Sequence, residues 1–332
     1  LTKDPKIAVI GGGSWATAIA KMLQNNSNNI GWWIRNPDTV EFIKKNHHNP
    51  NYISAVSFEV SKFNISSDLL EIVKNYDILI FAIPSAFLNE QIKSLDFNLL
   101  ENKIIVSAIK GIVPEHNLII GEYFNTQFNI PYDQIAVITG PCHAEEVALE
   151  KLSYLTIASE NQQNAETIAK ALSCRYIKTI TSDDIFGTEY SAVLKNVIAV
   201  ASGICHGLGY GDNFQAVLIS NAIREIKRYV NKVHPINRDI NDSAYLGDLL
   251  VTAYSQFSRN RTFGNMIGKG YSVKAAQLEM NMIAEGYYAV NCIHQINKTL
   301  GVDMPISEAV YNILYQGANA GREIALLSDK LN

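Results

Sequence analysis

Residues 7–16, Ile7-Ala8-Val9-Ile10-Gly11-Gly12-Gly13-Ser14-Trp15-Ala16, are four apolar residues followed by a glycine turn and the start of a helical pattern. An apolar strand running into G-x-G-x-x-(G/A) offers backbone N–H groups and a helix N-terminus to a pyrophosphate. Gly11 permits the tight turn and Gly13 lets a ligand approach the backbone. Ala16, at the third position, is small enough for close packing of helix on strand. The stretch predicts an α/β domain with a dinucleotide at its first turn. An ordinary tight turn after a strand would read the same way, so the rest of the chain has to decide.

Downstream, Trp15 to Leu23 has helical spacing and stops at Gln24-Asn25-Asn26, and Asn29 to Ile34 reads as the second strand, ending in Arg35. The end of that strand meets the adenosine ribose in dinucleotide folds: an acid there bonds the 2'-hydroxyl, whereas an Arg pairs with a 2'-phosphate. Arg35 occupies the place with no acid beside it, which leans toward NADPH over NADH, a solvated strand end being the alternative. Lys44 to Ser61, with His47, His48, Asn49 and Pro50, is polar and turn-rich; adjacent histidines diverge, so it reads as a loop and no metal is expected.

Further apolar runs at Asp77–Ile83, Lys103–Ala108, Gln134–Thr139, Tyr154–Ser159 and Tyr176–Ile180, with helical stretches at Ser67–Lys74 and Asn161–Leu172, continue the strand and helix alternation. Their ends carry Ile83-Pro84-Ser85, Lys110-Gly111 and Gly140-Pro141-Cys142-His143-Ala144, the last a small-residue turn before a helix start and so receptive to an anion. From Ile185 onward no strand is evident, and amphipathic stretches such as Asp212–Val230 and Glu285–Leu300 take over. The expected architecture is α/β: a Rossmann-type doubly wound domain over residues 1–184, then an all-α domain over 185–332.

At 332 residues, 47% hydrophobic and 18% charged, the chain has ordinary globular composition with room for two cores. A net charge of -4 without a basic run makes nucleic acid and anionic membranes poor partners. Cys142, Cys174, Cys205 and Cys292 form no paired motif and read as reduced thiols. Strand-like sequence begins by Ile7 and no apolar run approaches the ~20 residues that span a bilayer, so a cytoplasmic protein is expected, with no stable membrane insertion.

Chemistry concentrates in the second half. Lys195-Asn196 lies within the apolar helix Ser191–Ala201, where burial disfavours an ammonium unless it finds an anion, so Lys195 is a candidate acid or base. Snorkelling of its stem is the bland alternative. Tyr190 stands five residues before it, which excludes the Y-x-x-x-K arrangement. Asp248, in another apolar helix, is a suitable counter-charge. Ser258-Arg259-Asn260-Arg261 offers hydroxyl, guanidinium and amide near a helix start, a good phosphate receptor that could also be a surface turn.

In order along the chain, Gly11-to-Ala16 with Ser14 and Trp15, Ile83-Pro84-Ser85, Lys110-Gly111, Gly140-Pro141 with Ala144-Glu145-Glu146, Lys195-Asn196, Gly247-Asp248-Leu249, Ser258-Arg259-Asn260 and Glu285-Gly286 resemble the bacterial NAD(P)-dependent glycerol-3-phosphate dehydrogenases. The resemblance implies reversible reduction of dihydroxyacetone phosphate to sn-glycerol 3-phosphate for glycerophospholipid synthesis, by hydride transfer from nicotinamide C4 to substrate C2 with Lys195 as general acid/base. It implies a small phosphorylated three-carbon substrate and a possible homodimer. Lys110 and Asp248 would border the reacting carbon. Substrate would meet Lys110, Gly140, Cys142, Lys195, Asn196, Asp248, Ser258, Arg259 and Asn260. NADPH or NADH would meet Gly11, Gly13, Ser14, Trp15, Arg35, Lys110, Ala144, Arg259, Ile283 and Glu285. Cys142 stands where a hydroxyl is usual in that family, and a thiol is the weaker donor.

Two other readings fit parts of the sequence. A two-domain dehydrogenase for hydroxy acids or sugar acids would share the Lys-Asn pair but want a carboxylate receptor in place of Ser258–Arg261. A nucleotide-sensing protein would use the glycine turn and leave Lys195 and Asp248 without a purpose.

Overall fold

The computed structural model describes residues 5–280 and 284–332. By its contacts the chain forms two compact units, Leu1–Ile109 with Ile120–Ile185, and Lys110–Ile119 with Phe186–Asn332. The sequence reading cuts the chain once, after residue 184. The structure also moves 110–119 to the second unit, because the side chains of Ile112 and Ile119 are buried in that unit's apolar core.

The first unit holds strands β1 (Ile7–Ile10), β2 (Ile30–Trp33), β3 (Phe63–Ser66), β4 (Ile78–Phe81) and β5 (Ile104–Ser107). The second unit's hairpin, β6 (Ile112–Val113) with β7 (Leu118–Ile119), interrupts them before β8 (Ile135–Thr139), β9 (Ser153–Ala158) and β10 (Ile177–Ser182). The sheet order is β10-β9-β8-β5-β4-β1-β2-β3. Six strands, β3-β2-β1-β4-β5-β8, run parallel. β9 runs antiparallel to β8 and β10 parallel to β9, so the sheet is mixed at that edge. Order reverses between β1 and β4, the crevice where open α/β sheets bind ligands. β1, β4 and β5 are buried at every position, as their unbroken apolar runs require in a sheet covered on both faces.

The covering helices include α1 (Ser14–Leu23), α2 (Pro37–Asn46), α3 (Leu69–Asn75), α4 (Ser85–Ile92), α5 (Phe97–Leu100), α6 (Ile120–Phe128), α7 (Ala144–Ala148) and α8 (Gln162–Leu172). Predicted edges fall within two residues of these where both exist. α2 starts because Asn36 accepts from the amides of Asp38 and Thr39 with Pro37 at the first turn, and it stops at His47 in the left-handed region. α7 is five residues long, so its N-terminus carries less dipole than the small-residue turn before it suggests in sequence.

Among its described residues the second unit has no strand beyond the β6–β7 hairpin, and its helices are α9 (Ile185–Gly207), α10 (Asp212–Val233), α11 (Asp248–Tyr254), α12 (Arg259–Gly268), α13 (Val273–Glu279), α14 (Glu285–Leu300), α15 (Pro305–Tyr315) and α16 (Ala320–Ser328). α9 is its centre, buried on every side from Gly187 to Cys205. Neighbouring helices reach its backbone through glycine. A Cβ on Gly264 of α12 would sit 2.1 Å from the Val200 carbonyl oxygen, and one on Gly286 of α14 would sit 2.6 Å from that of Asn196. A larger residue at either position would force α12 or α14 away from the α9 backbone. Among the described residues no helix is long and apolar enough to cross a membrane.

Candidate active site

In the second unit three charged side chains converge. Asp248, at the first turn of α11, is 1% exposed and pairs through Oδ1 with Lys195 Nζ from α9. Through Oδ2 it accepts from Lys110 Nζ at 3.3 Å. Lys195 is 4% exposed, so the snorkelling alternative is excluded. Burial, helped by the charge of Lys110, pushes the Lys195 ammonium down to about 7 against the opposing pull of Asp248. Burial would raise the Asp248 carboxyl, but Lys110 and Lys195 outweigh it and hold it below the usual carboxylate range. The cluster therefore keeps a carboxylate charged while leaving a lysine able to give up or take a proton near neutrality.

Neighbouring residues hold the cluster in place. Asn196 Nδ2 donates to the Lys110 carbonyl at 2.7 Å, which fixes the segment that delivers Lys110. Thr252 Oγ1 donates to the Asp248 carbonyl at 2.7 Å, one turn along α11. Ser258 is the N-cap of α12, its Oγ accepting from the Arg261 amide at 3.3 Å. Arg259 follows at the first helical position with its side chain exposed, as a phosphate receptor needs. Asn260 is buried, and its Oδ1 accepts from the Gly286 amide at 2.9 Å, so only its Nδ2 is left to donate to a ligand.

In the first unit the glycine turn lies at the carboxyl end of β1, beside the end of β4. Gly11 has φ +144, and a Cβ there would come 2.5 Å from the Ala82 carbonyl oxygen. Gly13, the N-cap of α1, has no atom within 4 Å of where its Cβ would be. The fold thus explains Gly11, while the space over Gly13 suits a close approach by phosphate. Ser14 and Trp15 open α1, and Ala16 is fully buried against the sheet. These features fit a dinucleotide.

A family profile described as NAD-dependent glycerol-3-phosphate dehydrogenase N-terminus matches residues 6–165, and one described as the C-terminus matches residues 184–325. Glycerol-3-phosphate dehydrogenase (NAD(P)+) of Lacticaseibacillus paracasei is 36% identical over 320 residues, 94% of this chain and 91% of that protein. The enzyme of the same name from Bacillus subtilis is 34% identical over 315 residues, 94% of this chain and 90% of that one. The chain belongs to the NAD-dependent glycerol-3-phosphate dehydrogenase family. It is accordingly an NAD(P)-dependent oxidoreductase. The crystal structure of a glycerol-3-phosphate dehydrogenase from Coxiella burnetii superposes with a TM-score of 0.90 at 28% identity, covering 98% of each chain. The Saccharomyces cerevisiae enzyme, at 24% identity, 98% and 99% coverage and a TM-score of 0.84, shares the fold.

Within this dehydrogenase fold the remaining predicted residues take the following places. Arg35 is exposed just past β2. Gly140 follows β8 with φ +109, where a Cβ would meet the Tyr154 carbonyl oxygen at 2.8 Å. Cys142 is buried, and Ala144 begins α7. Glu285 begins α14. Ile283 lies outside the described residues. Sequence reasoning missed Trp32, whose Nε1 donates to the Gly11 carbonyl at 2.9 Å, and Asn49, whose Nδ2 donates to the Gly12 carbonyl at 3.1 Å. Full burial of a polar loop residue is the signal that finds Asn49, and only the folded chain displays it.

Proposed function

We propose that this chain reduces dihydroxyacetone phosphate reversibly to sn-glycerol 3-phosphate, supplying the glycerol backbone of phospholipids. The observation that carries the reading is the buried Lys195–Asp248–Lys110 cluster in a chain of this family. When bound, the nicotinamide supplies hydride to substrate C2 in reduction and takes it back in oxidation. Lys195, as an ammonium, gives its proton to the carbonyl oxygen in reduction; as an amine it accepts the hydroxyl proton in the reverse direction. Lys110 and Asp248 border the same centre, Asp248 holding both ammonium groups and Lys110 lowering the proton affinity of Lys195. Arg259, Ser258 and the Asn260 amide nitrogen hold substrate phosphate, and Asn196 acts by fixing Lys110.

Gly140 and Cys142 are further substrate contacts in this reading. Gly11, Gly13, Ser14, Trp15, Ala144, Lys110, Arg259, Ile283 and Glu285 serve the cofactor, and Arg35 favours NADPH. A cytoplasmic setting suits Cys142, Cys174, Cys205 and Cys292 as reduced thiols. A homodimer is supported by the exposed Tyr154 and Ile180 on β9 and β10, apolar surface that a second copy would cover, and a monomeric mass in sedimentation would refute it.

The activity test compares NADPH oxidation with dihydroxyacetone phosphate and with unphosphorylated dihydroxyacetone. Rapid turnover of the phosphate ester alone is expected. Equal rates would remove the phosphate role of Ser258–Asn260, and tight NADPH binding without oxidation would point to a sensor.

A further inference from the structure

Every carbonyl of the glycine turn is held by a side chain. Gly11 O accepts from Trp32 Nε1 at 2.9 Å, Gly12 O from Asn49 Nδ2 at 3.1 Å, and Gly13 O from Thr17 Oγ1 at 2.9 Å. A trans peptide is planar, with C=O and the next N–H on opposite sides. A carbonyl drawn into the protein therefore turns the following N–H outward. Trp32 sets the Gly12 N–H in this way, Asn49 the Gly13 N–H, and Thr17 the Ser14 N–H. None of these three N–H groups is spent on a protein acceptor among the described residues.

Trp32 and Thr17 belong to β2 and α1, but Asn49 comes from the loop between α2 and β3, and it is 0% exposed. Its Nδ2 donates to Thr17 Oγ1 at 2.9 Å as well as to Gly12 O, and its Oδ1 accepts from the amides of Asn51 at 3.0 Å and Tyr52 at 3.3 Å. One end of the carboxamide folds the loop and the other holds the turn, leaving no polar atom of the side chain idle. The loop is strained around it: His47 has φ 63 and Ile53 φ 50, a region that a β-branched residue rarely enters. Val56 and Phe58, both 2% exposed in the core, anchor its far end. Strain kept in this way commonly marks a pre-organised functional segment.

We propose that Asn49 is a positioning residue for the dinucleotide pyrophosphate, locking the Gly12–Gly13 peptide with its N–H outward so that the turn needs no reorganisation to receive the anion. This rests on the turn being the NAD(P) site. Asn49→Asp keeps the oxygen that folds the loop and loses the donor that holds Gly12; Asn49→Ala loses both. In the full chain, calorimetry gives Kd for NADPH, for ADP-ribose, which has the pyrophosphate and no nicotinamide, and for adenosine 2'-monophosphate, which has no pyrophosphate. Both variants should weaken NADPH and ADP-ribose by similar factors of about ten to a hundred, as expected when a buried acceptor loses its partner. Asn49→Ala adds no charge, so an equal weakening in that variant separates the lost donor from the buried Asp charge. Affinity for adenosine 2'-monophosphate and KM for dihydroxyacetone phosphate should stay near wild type. Wild-type affinity of Asn49→Asp for ADP-ribose, or an equal loss for all three nucleotides, would overturn the proposal. A wild-type chain that binds none of the three would instead overturn the cofactor reading beneath it.

Discussion

The glycine turn of the first unit and the lysine–aspartate cluster of the second are built from opposite materials. The turn uses backbone dipoles, with three carbonyls tied down by Trp32, Asn49 and Thr17. The cluster uses side-chain charges sunk in an apolar helix bundle, with Asp248 between Lys195 and Lys110. Backbone amides do not titrate, so the turn offers an anion the same donors at any working pH. Buried ammonium groups titrate readily, because desolvation and neighbouring charge both act on them. In the proposed reaction the first device binds the cofactor and the second transfers the proton.

The largest expected effect breaks one side of this contrast alone. Lys195→Ala should reduce turnover of dihydroxyacetone phosphate by about 10²–10⁴, the usual weight of a positioned acid or base, while calorimetry finds NADPH affinity unchanged. An active Lys195→Ala enzyme would end the assignment.

A second effect sharpens the contrast through pH. Because Lys195 titrates near 7, reduction needs its ammonium form and should lose about tenfold in kcat/KM per pH unit above that point. Oxidation needs the amine and should rise toward the same point from below. NADPH affinity, resting on backbone donors, should not share this inflection. Asp248→Asn removes the anion that supports the ammonium, so its inflection should move to lower pH. Leaving the lysines without their counter-charge should also cost about 3–5 kcal/mol of stability in denaturant unfolding. An unmoved inflection would show that Asp248 does not govern Lys195.

The smallest effect concerns the one charged side chain proposed at the cofactor's adenosine end. Arg35 is exposed and so screened by salt; Arg35→Ala should weaken NADPH by about three- to tenfold, more at low ionic strength, and leave NADH unaltered. Equal weakening of both nucleotides would remove Arg35 from the choice between them.

Legibility followed the range of the interactions. β1, β4 and β5 announce themselves as unbroken apolar runs, and α12 announces its start through Ser258 ahead of Arg259, because these signals are local. The allegiance of residues 110–119 was not legible, since Ile112 and Ile119 look like any strand residues until the helices that bury them are in place. Asn196 and Asn260 read as ligand contacts in sequence. In the fold Asn196 Nδ2 and Asn260 Oδ1 are engaged with the Lys110 carbonyl and the Gly286 amide, partners 86 and 26 residues away.

The sequence by itself determined the α/β-then-helical order, the glycine turn, and the residue types that acid–base chemistry on a phosphorylated ketone would need. Those are matters of local periodicity, backbone permissiveness and side-chain chemistry. The tertiary structure alone decided that Lys195 is buried rather than snorkelled, that Asp248 is its partner, and that Asn49 reaches back to orient the turn. Burial and long-range pairing are properties of segments brought together, and they are what converts an ordinary lysine into one that titrates near neutrality and an ordinary glycine turn into a fixed set of outward-facing amides.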